Sequence, residues 1–288
     1  MKTNILKIFI RPIGLLGIML TLFSCEEVPV VVQPALPAGN CRPAGEAQVA
    51  GQEKQVLIEE FTGVRCVNCP DGSQAIKELI DQHGDRLVVL GLHAGFFADP
   101  YPESQYDFRT PAGDALLNFH GSPFGYPAAI IGRRPFGNSD RLHLGQNLWA
   151  GAIAQQLAEE PDVKIHLGIQ FDSLSRQLDI QTSLFFQNTV EGEVRLSLMI
   201  TEDKIVDYQE TPSGLQADYQ HNHNLRTALT APTGNILTDS TEGGSNFCKS
   251  FSITLPEEWV ANNCKVIAFV HEGGDEKEVL QAHQTSIK

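Results

Sequence analysis

Positive charge is scarce in this sequence: 21 Lys and Arg stand against 35 Asp and Glu, a formal net charge of −14. Nucleic acids and anionic lipid surfaces both need a basic face, so neither charge-driven partner is expected. Long apolar runs are also lacking. The run over residues 13–23 is too short to cross a bilayer comfortably as a helix. There is no Gly-rich phosphate loop, no Ser-centred elbow and no H-E-x-x-H sequence. No internal repeat is visible, and no cofactor or metal is expected. What remains is ordinary globular material: 288 residues at 42% hydrophobic content are enough for two modest domains with real cores.

The first residues do not belong to those cores. Lys2, Lys7 and Arg11 precede the apolar run, which has the length of a signal peptide's hydrophobic region. It ends in Leu22-Phe23-Ser24-Cys25, which resembles a bacterial lipobox. Residues 1–24 are therefore expected to be removed and Cys25 to be acylated. Cleavage takes three positive charges with it and leaves a net charge of −17. The bilayer is then a partner through acyl chains on Cys25, not through charge. Glu26 and Glu27 argue against retention in the inner membrane and fit lipid anchoring at the outer membrane, facing the periplasm or the surface. Residues 25–50 read as the lipidated terminus and a tether, with Pro29, Pro34, Pro37 and Pro43 and no clear period.

Periodicity begins at residue 55. Residues 55–61 read as a strand, 69–83 as a helix capped by Gly84, and 86–92 as an apolar strand buried on both faces. This strand–helix–strand order predicts an α/β domain over residues 51–160. A short helix near 113–119, a strand at 127–131 and a helix over 143–159 complete it. Beyond residue 160 the period becomes two: Ile165, Leu167, Ile169 and Phe171 alternate with polar residues, as do Val194, Leu196, Leu198 and Ile200. Residues 161–288 are accordingly read as an antiparallel β-sandwich, with an irregular connection over 206–246.

Six cysteines are present. Cys66 and Cys69 lie between a strand and the first turn of a helix, with Pro70 where a missing N–H costs nothing. Two intervening residues allow both sulfurs to sit at one helix end, where unpaired N–H groups favour a thiolate on Cys66. Cys66 is then the nucleophile toward a substrate disulfide and Cys69 the resolving thiol. Arg65 adds positive charge beside them. A structural disulfide and half of a metal site are the competing readings. Cys248 and Cys264 are expected to form a structural disulfide, though spacing alone leaves the pairing open, with Cys41 the odd member.

The segment Val56-Leu57-Ile58-Glu59-Glu60-Phe61-Thr62-Gly63, followed by Cys66-Val67-Asn68-Cys69-Pro70, resembles the thioredoxin-like fold. The resemblance implies a cis Tyr126–Pro127 bond facing the cysteines and a proton-transfer role for Glu60, six positions before Cys66. Glu60 shares a strand face with Val56 and Ile58; Glu59 points the other way. The sequence departs from that fold in having Arg65 where Trp is usual, Val-Asn between the cysteines, and an insertion around residues 96–125. Tyr126, Phe124 and Arg65 are candidates to line a substrate groove; Asp99, Tyr101, Tyr106 and Phe108 either join it or pack the insertion.

With Tyr126-Pro127, Gly132-Arg133, His221-Asn222-His223-Asn224-Leu225-Arg226 and Val266-Ile267-Ala268-Phe269-Val270 added, residues 50–288 resemble the Omp28-related outer-membrane lipoproteins of the Bacteroidetes type. That resemblance implies a thioredoxin-like domain followed by a β-rich one. His221 and His223 are read as a loop or interface network with Arg226 rather than a metal site, and His93 as a partly buried core histidine. Three functions stay open: a thiol–disulfide oxidoreductase acting on exported proteins; a non-enzymatic lipoprotein that binds a protein or glycan, with Cys66–Cys69 a staple; and, least favoured, metal delivery through the thiols.

Overall fold

The computed structural model describes residues 41, 43, 46–137, 140–274 and 277–288. The expected leader, Cys25 and most of the expected tether lie outside the described residues. The protein is a mixed α/β structure dominated by sheets. In chain order the helices are α1 (Glu46–Val49), α2 (Cys69–His83), α3 (Pro111–His120) and α4 (Gln146–Leu157). The first strands are β1 (Val56–Thr62), β2 (Leu87–His93), β3 (Ala128–Ile131) and β4 (His143–Leu144). Then come β5 (Val163–Phe171), β6 (Gln177–Phe186), β7 (Val194–Glu202), β8 (Ile205–Thr211) and β9 (Gly214–His221). The last are β10 (Asn224–Ala228), β11 (Asn235–Ile236), β12 (Asn246–Thr254), β13 (Cys264–Glu272) and β14 (Val279–Ser286).

A nine-stranded sheet forms the spine, in the order β14-β13-β7-β10-β2-β1-β3-β4 with β11 beside β7. β1 and β2 run parallel, as two strands joined by a helix must, and β3 runs antiparallel to β1. Alternation along β1 sorts its side chains. Val56 and Ile58 face α2 and α4 in a core with Ile76, Leu79, Trp149 and Ile153. Leu57 and Phe61 face α3 on the other side, with Leu90, Leu116 and Phe269. The α3 start is built locally: Pro111 occupies the first turn and Thr110 Oγ1 accepts from Gly113 N at 3.0 Å.

Strands from either side of residue 160 share this sheet. β10 pairs parallel with β2 at Asn224 and Gly91, and Gly91 N donates to His223 O at 2.7 Å. A Cβ on Gly91 would stand 2.9 Å from that carbonyl oxygen, so only glycine admits the crossing. A three-stranded antiparallel sheet, β12-β6-β5, packs on the β7–β13 end through Ile165, Ile180, Phe186, Leu198, Phe251 and Val266.

One expectation fails outright. The 206–246 stretch is not an irregular connection: it holds β8, β9, β10 and β11. Polar strands hid there because the β8–β9 pair is a separate two-stranded sheet whose outer strand is exposed over most of its length, so no apolar alternation marks it.

Candidate functional site

The end of β1, the start of α2 and the turn before β3 converge on the cysteine pair. Cys66 N donates to Gly63 O at 3.0 Å and Cys69 N to Cys66 O at 3.2 Å, a tight turn that delivers Cys69 to the first position of α2. Cys66 and Cys69 are joined in a disulfide, with Cα atoms 5.3 Å apart. Both are buried, at 3% and 1% exposure.

Glu60 lies in the same face of β1 as Val56 and Ile58, opposite Ala129 of β3. It is buried and its Oε1 has no hydrogen-bond partner. Burial pushes its carboxyl up to about 8. The Tyr126–Pro127 peptide is cis. A Cβ on Gly72, in the first turn of α2, would meet Pro127 Cβ at 2.7 Å and Cγ at 2.8 Å, and would stand 3.4 Å from Glu60 Oε1. The absence of a side chain at Gly72 thus lets α2, Pro127 and the Glu60 carboxyl close on one another. Gly72→Ala is expected to cost about 1–3 kcal/mol through overpacking, readable as a lower midpoint in denaturant; an unchanged midpoint would contradict this packing.

The other expected site residues are placed differently. Arg65 turns away to the insertion: Nε donates to Asp99 O and Nη2 to Pro100 O, both at 2.7 Å, and the guanidinium stacks 4.4 Å over Tyr101. Tyr126 donates its hydroxyl to Ala94 O at 2.9 Å. Phe124 is 86% exposed beneath Arg141 and lines a cleft with His120, Ser122 and His143 that includes neither cysteine. Asp99 pairs with Arg109. Tyr101, Tyr106 and Phe108 pack with Val64 and Ile205 instead of leaving a groove open.

His93 is buried at the end of β2, where it stacks on Phe108 at 4.7 Å; His221 lies on the same ring at 4.5 Å. Burial lowers both imidazoles, His221 to about 4, so both are neutral near pH 7. His223 is separate, paired with Asp203 at 3.3 Å, and Arg226 meets Glu202 at 3.4 Å. No cluster of three or more metal-ligating side chains occurs among the described residues.

The expected Cys248–Cys264 disulfide is absent. Cys248 is bonded to Cys41, and Cys264 is a buried free thiol pushed up to about 12, first by burial and then by Glu202. The reason is topological: Cys248 sits in β12, paired with β6, whereas Cys264 opens β13 beside β7 in the other sheet. Cys41 is therefore not the odd member. A thiol reagent is expected to leave Cys264 unlabelled in the folded protein and to label it on denaturation without reductant; labelling of Cys41 or Cys248 instead would refute the pairing.

Sequence reasoning also passed over Glu59. It is fully buried on the opposite face of β1, where Arg133 Nη2 and Nε donate to it at 2.7 and 2.8 Å. Burial alone would raise its pKa, but Arg133, helped by His120 at 3.4 Å, holds the carboxyl well below the usual range.

A family model described as "Outer membrane protein Omp28" matches residues 115–288. The chain belongs to the Omp28 family. Membership places it among the outer-membrane proteins of that family. No curated protein sequence matches it. Among solved structures, HBP35 of Porphyromonas gingivalis is similar with a TM-score of 0.62 at 18% identity, over 82% of this chain and 76% of that one. Protein AGR_C_4864 from Agrobacterium tumefaciens gives 0.52 at 12% identity, over 83% and 97%. A domain of the outer membrane lipoprotein Omp28 from Porphyromonas gingivalis gives 0.32 at 15% identity, over 44% and 89%. At these identities the likenesses to HBP35 and AGR_C_4864 are of fold alone. The Omp28 match begins at residue 115, after the cysteine pair, so that site rests on its own geometry.

Proposed function

We propose that this Omp28-family protein is a lipid-anchored thiol–disulfide oxidoreductase of exported proteins, tethered through Cys25 and acting through a thioredoxin-like segment over residues 51–160. The observation that carries the reading is Glu60. A carboxyl buried without a partner costs stability, and a disulfide that only staples the chain has no use for one. A proton acceptor packed against the first turn of α2, the helix that opens at Cys69, does use it.

In the oxidising direction, a substrate thiolate attacks Cys66 Sγ, the Cys66–Cys69 bond breaks, and Cys69 leaves as a thiolate that takes a proton from Glu60. The second substrate thiol then attacks the substrate sulfur of the mixed disulfide; the substrate–Cys66 bond breaks, Cys66 leaves as a thiolate, and the proton released by the attacking thiol passes to it. The substrate leaves oxidised by two electrons and the protein holds both thiols. In the reducing direction Cys66 attacks a substrate disulfide, and Cys69, losing its proton to Glu60, resolves the intermediate.

The test is a Cys69→Ala variant displayed on the outer membrane. It is expected to accumulate mixed disulfides on Cys66 that dithiothreitol releases, with Cys66→Ser/Cys69→Ala as the blank. A trap no richer than the blank would favour the staple reading.

A further inference from the structure

The disulfide is buried, and the loop that carries it is held by an element from the far half of the chain, the β8–β9 hairpin. Gln209 Nε2 donates to Cys66 O at 3.0 Å and to Gly63 O at 3.3 Å. Glu210 N donates to Val64 O at 2.7 Å, and its carboxylate accepts from Tyr101 Oη at 2.5 Å. Asp207 Oδ2 accepts from Tyr106 N at 2.8 Å. Directly opposite Asp207 in the hairpin, Tyr219 hydrogen-bonds the Ser73 side chain in the first turns of α2. No incoming thiolate can approach either sulfur while this arrangement holds, because exchange needs access to the disulfide.

Three features distinguish this element from a permanent part of the core. It pairs with neither of the other sheets. Its buried underside is largely polar, with Asp207, Gln209 and His221, and its apolar contacts are few: Ile205 against Val64 and Phe108, the His221 ring on Phe108 and the Tyr208 ring near Tyr101. Lifting it therefore exposes groups that water satisfies. Its two roots also lie side by side and both turn through left-handed residues, Lys204 at φ 62° and His223 at φ 59°. Lys204 N donates to Asn222 Oδ1 at 3.1 Å, and His223 N to Asp203 Oδ1 at 2.7 Å, so the base is clasped while the body is latched elsewhere.

We infer that the β8–β9 hairpin is a lid on the Cys66–Cys69 disulfide, latched by Gln209 and by the Tyr101–Glu210 contact, and that an extended segment of a partner protein takes its place on the acceptor carbonyls of Gly63, Val64 and Cys66 when exchange occurs. The inference rests on the oxidoreductase reading for its purpose, but the lid itself is testable without it.

The experiment measures how fast dithiothreitol reduces Cys66–Cys69 in the mature chain, by acid quench, alkylation and peptide mapping, with Cys41–Cys248 as the reference in the same molecule. Gln209→Ala and Tyr101→Phe are compared with the parent after thermal melts confirm that each is folded. Tyr101→Phe, losing one latch hydrogen bond, is expected to speed reduction of Cys66–Cys69 by about fivefold to tenfold, and Gln209→Ala, losing two, by at least as much; both leave the reference unchanged. Hydrogen exchange supplies a second readout: amides of 205–221 are expected to open before those of β7. Equal rates in all three proteins would overturn the lid, and oxidation of a peptide dithiol by the parent would then leave the oxidoreductase standing. Faster reduction in both variants, with no peptide dithiol oxidised by any, would uphold the lid and overturn the oxidoreductase.

Discussion

Glu60→Gln is expected to slow resolution of a Cys66 mixed disulfide by about 100-fold at neutral pH, within the range for loss of a positioned general base. Gln keeps the shape and the buried amide-sized volume but cannot accept the Cys69 proton. The parent rate should climb with pH and level off above about 8, where the Glu60 carboxyl has ionised. The variant should lack that step and rise only as Cys69 titrates by itself. Stability carries the same signature with a defined sign. Folding raises the carboxyl from 4.5 to about 8, so the folded state binds the extra proton between those values. The contribution is fully present below pH 4.5 and is lost as pH rises through 8. Urea titrations should therefore show the parent losing on the order of a few kcal/mol across that window relative to Glu60→Gln, the buried histidines contributing alike to both proteins. A parallel loss in both proteins would remove Glu60 from the account.

Glu59→Ala is the other large expectation, and it concerns the scaffold. The variant leaves Arg133 fully buried, 4.9 Å over Phe269, with no carboxylate to offset its charge. Breaking such a pair costs about 3–5 kcal/mol, enough to unfold a marginal domain. Replacing both partners, Glu59→Leu with Arg133→Met, should recover most of the loss, because the desolvation of two charges disappears together. The acid side of the parent's profile belongs to this pair. Glu59 is held below its ordinary 4.5, so its contribution is present above that value and falls away as pH drops further. Equilibrium denaturation of the single and double variants measures both effects; a single variant within 1 kcal/mol of the parent would contradict the buried ion pair.

How much of this was legible beforehand follows from how far apart in sequence the partners lie. The period-two pattern of β1 separated Glu60 from Glu59, and the strand–turn–helix order put Cys69 and Pro70 at a helix start; both signals are local. The role of Glu59 was not legible because Arg133 lies 74 residues away. The lid was hidden for the same reason, its Gln209 meeting Cys66 across 143 residues. Its strands carry polar residues on both faces, so neither alternation nor an apolar run announced them. Cysteine counting showed that one of Cys41, Cys248 and Cys264 must stay unpaired beyond the C-x-x-C. Only the assignment of β12 and β13 to different sheets decided which. Arg65 shows the limit of charge-based reading: its position beside Cys66 suggested an electrostatic role, yet its guanidinium is spent on the carbonyls of Asp99 and Pro100.

The proposed proton transfer requires Glu60 to be a neutral, buried acid, packed against Gly72 in the first turn of α2. It is tested most directly by following the Glu60 side-chain carboxyl by ¹³C NMR in the oxidised protein, assigned by its absence in Glu60→Gln. A midpoint near 8 is the predicted result. A midpoint near 4.5, that of an ordinary solvated glutamate, would contradict the account.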